Sequence, residues 1–204
     1  MTGVQTCALP IYALIKLEPN QRGKGIEILN EIVGGAIPRE YIPAVERGLE
    51  EAIGGGVLAG YPMVDLKISI VDGTFHEVDS SELAFKMAGI FALKDAAKKA
   101  AAILLEPVMK LTVYTDDQYL GDVLSDLSSR RGRVLGQDAI GGGIQQVKAE
   151  VPEAELLKYA IDLRSITSGT GSFEIEFDHY SPISGKIAEA VIEEAKSRKA
   201  EAAE

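Results

Sequence analysis

The sequence predicts an α+β chain of two small halves, each combining helices with a sheet. Three observations carry that expectation. The 204 residues are 46% hydrophobic and 25% charged, which suits one large or two small globular domains. Apolar residues recur with period two in some segments and at helical spacing in others along nearly the whole chain. The second half reads in the order βαββαβ, the split-βαβ or ferredoxin-like arrangement, in which two helices cover one face of an antiparallel sheet.

The elements follow in chain order. Met1 to Ile11, MTGVQTCALPI, lacks both the basic start and the long apolar stretch of a signal peptide. It joins a strand abruptly and reads as a foreign leader, resembling a translated sequencing-adaptor scar. Tyr12-Ala-Leu-Ile-Lys-Leu17 is that strand. It opens a first domain over 12–105, in the order strand, loop, helix, strand, loop, helix. Pro43 to Ile53 reads as a helix with proline in its first turn, stopped by Gly54-Gly-Gly56. Pro62 to Val71 puts Val64, Leu66, Ile68 and Ile70 on one face of a half-buried strand. Asp79-Ser-Ser-Glu82 has capping-box spacing with Asp79 as the N-cap. The helix it announces runs through Leu83, Phe85, Met87, Ile90, Phe91 and Leu93 to near Ala102, too apolar to be wet on all sides.

The second domain, 106–195, reads as strands Val108 to Tyr114, Arg133 to Gln137, Ile144 to Val151 and Ser172 to Phe177. Helices Gln118 to Ser129 and Glu153 to Ile166 are interleaved with them. A last helix from Gly185 to Ala202 carries Ile187, Val191 and Ala195 at spacing four, and the charged tail 196–204 reads as frayed. No repeat relates the halves.

Composition narrows the functional classes. No apolar run nears the ~18 residues of a membrane span, so the expectation is a soluble protein, and the single cysteine suits a reducing compartment, by default the cytoplasm. The single Cys7 leaves no internal disulfide framework and no cysteine-based zinc site. Lys+Arg 21 against Asp+Glu 31 gives a net charge of −10, which argues against a general nucleic-acid coat but not against a local RNA-contacting tip.

Motifs for chemistry are scarce. Neither Gly23-Lys24 nor Gly185-Lys186 is followed by the hydroxyl that a phosphate-cradling P-loop requires. Gly54-Gly-Gly56-Val-Leu-Ala59 fits GxGxx[GA] but lies between a helix and a strand, the reverse of the dinucleotide-binding order. Only His76 and His179 are present, so two-histidine metal motifs are absent, and His179 reads as an edge or loop residue. His76 with Asp79, Ser80 and Ser81 does not make a triad, because neighbours in one loop supply no ordered proton relay. Asp79 and Glu82 are better used as caps.

Three segments remain. Gly34 to Pro43 combines two glycines, stiffening prolines, Arg39 and Tyr41 just before a helix. Val71 to Asp79 presents Phe75 and His76 in the same relation to the next helix. Aromatic and histidine loop tips suit unstacked RNA, each stacked base being worth about 1–3 kcal/mol. From composition alone the other outcome is favoured, that Phe75 and Tyr41 fold back onto their own helices as staples. The third segment is Arg130, Arg131 and Arg133 around Gly132, the densest cationic cluster in the chain. Ordinary helix C-terminal charge explains much of it, although guanidinium forks also suit phosphate.

Four motifs, in order, resemble one family. Gly35-x-Ile37-Pro38-x-Glu40-Tyr41-Ile42-Pro43-Ala44-Val45, Leu58-Ala59-Gly60-Tyr61-Pro62-x-Val64-Asp65, His76-x-Val78-Asp79-Ser80-Ser81-Glu82-Leu83-Ala84-Phe85 and Gly121-Asp122-Val123-x-x-Asp126-Leu127-x-x-Arg130-Arg131-Gly132 closely resemble the carboxy-terminal part of bacterial elongation factor G. The likeness covers about Tyr12 to Ala195. It implies a translational GTPase that moves tRNA and mRNA through the ribosome, represented here by its fourth and fifth domains. The implied fold is a ribosomal-protein-S5-domain-2-like α/β domain with a left-handed βαβ connection, followed by a ferredoxin-like domain and a C-terminal helix. On this likeness the loops Gly35 to Tyr41 and Thr74 to Val78 enter the decoding region, and the odds on the aromatic loops reverse. The implied RNA-binding residues are Gly35, Ile37, Pro38, Arg39, Glu40, Tyr41, Phe75, His76 and Glu77. Weaker candidates facing the large subunit are Arg130, Arg131, Ser168, Gly169 and Thr170. A cation commonly sits at the position of Thr170, so this sequence departs from the pattern there. Asp178-His179-Tyr180 suggests a paralogous elongation-factor-G-like branch.

The implied partners are the ribosome's 16S and 23S rRNA, tRNA and mRNA, contacted by a monomer without membrane attachment. No catalytic residue, cofactor or metal is implied in this chain; GTP and Mg belong to an N-terminal domain outside it. The competing readings are a fragment of a tetracycline-resistance-type ribosomal protection factor and a small enzyme on a ferredoxin-like fold. The latter needs an anion-binding loop with an Arg and Asn pair that is not found.

Overall fold

A computed structural model describes residues 11–76, 80–183 and 185–201. They form two compact units, one comprising the described residues up to Ile103 with those from Gly185 onward, the other beginning at Leu104.

The first unit contains strands β1 (Tyr12–Pro19), β2 (Glu27–Asn30) and β3 (Leu66–Thr74), with helices α1 (Ile42–Gly55) and α2 (Glu82–Lys99). The sheet order is β1-β3-β2, with β1 antiparallel and β2 parallel to β3. Strand β2 lies outside the elements that periodicity predicts. Its four residues form a short edge strand, and Ile28-Leu29 between Glu27 and Asn30 gives too short a run for periodicity to register. Strand β3 starts at Leu66 instead of Pro62, because Asp65 takes a positive φ of 53° that interrupts the extended run. The Asp65 carboxylate accepts N–H bonds from Gly23 at 3.0 Å and Gly25 at 2.9 Å, tying the β1–β2 connection to the start of β3.

Helix α1 begins as expected, with proline in its first turn, and its buried face is Ala44, Val45, Gly48, Leu49, Ala52 and Ile53. It packs closely on α2 because both contact points are glycines. A Cβ on Gly48 would overlap the Lys86 carbonyl, and one on Gly89 would lie 2.6 Å from the Val45 carbonyl oxygen. Ion pairs Arg47–Glu82 and Lys86–Glu51 flank the contact at 2.8 and 2.6 Å. The N-cap of α2 is Ser81, whose hydroxyl accepts the Ala84 N–H. It stands further along the chain than the expected Asp79, which lies outside the described residues. The core-facing side carries Phe85, Ile90 and Leu93, whereas Leu83, Met87 and Phe91 stay exposed. The helix is therefore wetter than its composition predicted.

The second unit is βαββαβ, as expected. It comprises β4 (Leu105–Asp116), α3 (Leu120–Ser129), β5 (Arg133–Gly141), β6 (Ile144–Pro152), α4 (Tyr159–Ile166) and β7 (Ser172–Pro182), with single 3-10 turns leading into both helices. The sheet order is β5-β6-β4-β7, antiparallel throughout. Leu111, Val113, Val147, Ala149 and Val151 line the face that packs on Val123, Leu127, Tyr159 and Leu163 of the helices. The last helix, α5 (Gly185–Glu201), groups with the first unit and buries Ala195.

Candidate nucleic-acid interface

The two loops singled out in the first unit meet at one end of its sheet. Strand β3 runs out at Thr74, opposite Tyr12 of β1, and delivers Phe75 and His76 directly beyond the sheet. Phe75 is 44% exposed and His76 is exposed. His76 and Ser80 are tied by two bonds: the His76 N–H donates to Ser80 Oγ at 3.1 Å, and the Ser80 N–H donates to the His76 carbonyl at 3.0 Å. Glu77, implied alongside them, lies outside the described residues.

The other loop enters through Gly34 and Gly35, at φ 78° and 73°. Ile37 then plunges into the core and is 1% exposed. Its seat exists because residue 73 is glycine. A Cβ there would stand 2.5 Å from Ile37 Cδ1 and 2.7 Å from the Tyr12 carbonyl oxygen. The loop closes with the Tyr41 N–H donating to the Pro38 carbonyl at 2.9 Å. The Tyr41 ring stacks on Phe85 of α2, centroids 4.7 Å apart and planes 19° from parallel.

The implied RNA contacts are placed unequally. Ile37 and Tyr41 are implied RNA contacts, but Ile37 is core and Tyr41 is half-buried against Phe85. Both are apolar surface that gains more from burial than from a wet contact. Tyr41 is a staple, as composition alone favoured, although onto α2 and not its own helix. Exposed Gly35, Arg39 and Glu40 of one loop, half-buried Pro38, and exposed Phe75 and His76 of the other remain at the surface.

The arginine cluster of the second unit is built differently. Arg130 Nε and Nη2 donate to the two Asp126 oxygens at 2.8 and 3.0 Å, Nη2 also to Asp162 at 2.7 Å, and Nη1 to the Glu155 carbonyl at 2.8 Å. Its guanidinium also lies 5.1 Å from the ring centroid of buried Tyr159. Arg131, at a positive φ of 58°, grips Glu106 with two bonds of 2.8 and 3.0 Å and Glu155 with one of 3.0 Å. Arg133 binds Glu150 at 2.7 Å. Hydrogen bonding to Asp126 holds Arg130, and bonding to Glu106 holds Arg131, above the usual guanidinium range. Three cations thus face five carboxylates. The Asp126–Arg130 pair was legible from its i,i+4 spacing; Glu106, Glu155 and Asp162, brought in from other elements, were not.

Ser168, Gly169 and Thr170 lie elsewhere. Ser168 Oγ accepts from the Tyr119 hydroxyl at 3.0 Å, and Thr170 Oγ1 donates to Asp116 at 2.7 Å. Arg131 contacts Glu106 at the beginning of β4 and Thr170 contacts Asp116 at its end, roughly 30 Å apart at the strand rise of about 3.3 Å per residue. The two sets cannot form one patch. His179 sits on β7 opposite Val108, its Nδ1 2.6 Å from Asp178. Among the described residues no three His, Cys, Asp or Glu side chains stand together as they would to hold a metal ion, and no helix is long and apolar enough to cross a membrane.

Known proteins share both units. Residues 12–101 match the family model for elongation factor G, domain IV, and residues 103–191 match that for the elongation factor G C-terminus. An elongation factor G from Aquifex pyrophilus is 51% identical over 183 residues, which is 90% of this chain and 26% of that protein. A crystal structure of a protein from Thermus thermophilus superposes with a TM-score of 0.79 at 40% identity, covering 91% of this chain and 27% of that one. The chain thus spans about a quarter of the length of these relatives. With its two units matched in order by successive modules of one family, the chain belongs to the elongation factor G family, of which it carries domain IV and the C-terminal domain.

Proposed function

We propose that the chain is the carboxy-terminal part of a translational GTPase that moves tRNA and mRNA through the ribosome in the cytoplasm. In this reading the first unit, with its boundary near residue 105, supplies a rigid tip to the decoding region. The second meets the large subunit, and the protein acts as a monomer. One observation supports it above the others: two loops converge beyond one sheet end and leave Arg39, Glu40, Phe75 and His76 exposed while their neighbours are anchored in the core. A cation, a flat ring and an imidazole on a stiff base suit the phosphates and unstacked bases of single-stranded RNA.

The tip's role is steric and electrostatic, with no residue transferring a proton or forming a bond. GTP and its Mg would be held by a preceding domain, since neither Gly-Lys pair of this chain is followed by a hydroxyl. When bound there, GTP supplies the hydrolysis that accompanies translocation. In the full-length parent protein, His76→Ala slows translocation and leaves ribosome-triggered GTP hydrolysis nearly unchanged. Rapid kinetics in which both steps fall together rejects the tip assignment.

A further inference from the structure

We propose that the contact between Ile37 and Gly73 is the joint that fixes the two exposed loops relative to each other, making these two buried positions positioning residues for the tip. The functional half of this inference rests on the reading above.

The argument begins with an anomaly of placement. Ile37 belongs to a loop whose neighbours Gly35, Arg39 and Glu40 are exposed, yet its own side chain is buried in the core. It reaches the core at the end of β3, one residue before Thr74 and two before Phe75. The contact therefore joins the first loop to the strand end from which the second springs. Other anchors act within single loops or on helices: Tyr41 on Phe85, His76 with Ser80, Ser81 with Ala84. Of these contacts, Ile37 on Gly73 alone spans both loops.

The joint has no slack. A methyl group at position 73 would fall 2.5 and 2.6 Å from Ile37 Cδ1 and Cγ1, so one side must give by about an ångström to restore ordinary packing distances. The opposite side is the Tyr12 carbonyl at 2.7 Å, held in the β1–β3 ladder. Backbone locked in a ladder yields less than a side chain on a glycine-entered loop. Gly73→Ala therefore displaces Ile37 and loosens the first loop, besides crowding the Tyr12 carbonyl.

Amide hydrogen exchange on this chain reads the effect, with Tyr41, whose N–H closes the loop on Pro38, as reporter. Gly73→Ala raises exchange at Tyr41 about tenfold while the α2 amides keep their protection. Gly73→Ala with Ile37→Ala restores part of it, since the shortened side chain vacates space on one side of the added methyl while the approach to the Tyr12 carbonyl stays. Unchanged exchange at Tyr41 in Gly73→Ala, or a double variant as fast as the two single variants combined, overturns the joint. Should Gly73→Ala not fold, Ile37→Val carries the test: a rise of about threefold at Tyr41 is expected, and no rise overturns the joint. In the full-length parent, Gly73→Ala slows translocation, spares GTP hydrolysis, and is rescued in part by the compensating Ile37→Ala. Faster exchange with unimpaired translocation overturns the positioning role. Loss of translocation in Arg39→Ala and His76→Ala, with normal exchange, separately upholds the tip reading, and its absence rejects it.

Discussion

The loop end of the first unit and the arginine cluster of the second present opposite solutions to placing polar groups at a surface. In the cluster, Arg130 donates four hydrogen bonds to protein acceptors, and Arg131 and Arg133 are tied to carboxylates as well. At the loop end the apolar residues Ile37 and Tyr41 do the holding, and Arg39, Glu40, Phe75 and His76 stand at the surface. Each arginine of the denser group is thus paired with carboxylate. A cluster of guanidinium groups binds phosphate only where their donors are not already satisfied, and cation density in a sequence says nothing about that.

The largest effect that would break this comparison is on stability. Arg130→Ala removes a half-buried guanidinium and leaves Asp126 and Asp162 without their partner, at a cost of about 3 kcal/mol in the second unit. Hydrogen exchange of the α3 amides measures it, and a loss below about 1 kcal/mol would mean the cluster is free after all. Tyr41→Ala, which deletes the stack on Phe85, should cost about 2 kcal/mol in the first unit by the same measurement on α2. Smaller still is the stability effect of Arg39→Ala, which stays within about 0.5 kcal/mol of the parent. A loss of stability comparable to that of Tyr41→Ala would show that this side chain is structural.

The smallest effect concerns pH. The N–H groups of Gly23, then Gly25, hold the Asp65 carboxyl below the usual aspartate range. A depressed carboxyl contributes stability that is present above its unfolded value near 4 and is lost as pH falls through the lower folded value. Acid unfolding of the first unit should therefore become shallower below about pH 4 in Asp65→Asn. An unchanged acid limb would remove this carboxylate as the tie between the β1–β2 connection and β3.

Much of this architecture was legible in the residues. Period-two runs and capping residues located every described strand except β2, and all the described helices, because burial of one face imposes its period on the sequence. The elongation factor G likeness was carried by contiguous motifs such as Ile37-Pro38 to Val45 and Asp126 to Gly132, which local sequence alone displays. Residue type also bears on motifs: with two histidines far apart and one cysteine, the sequence carries no two-histidine metal motif and no cysteine-based zinc site.

Tertiary structure decided which of those motif residues face outward. Ile37 and Arg39 are two positions apart in one loop, and nothing in their spacing says that one fills a seat at Gly73 while the other meets solvent. That seat lies 36 residues away along the chain, and Glu106 lies 25 residues from the Arg131 that it neutralises. Sequence periodicity reports a residue's own element, whereas availability depends on what other elements bring within reach of a side chain, and only the folded chain sets those partners.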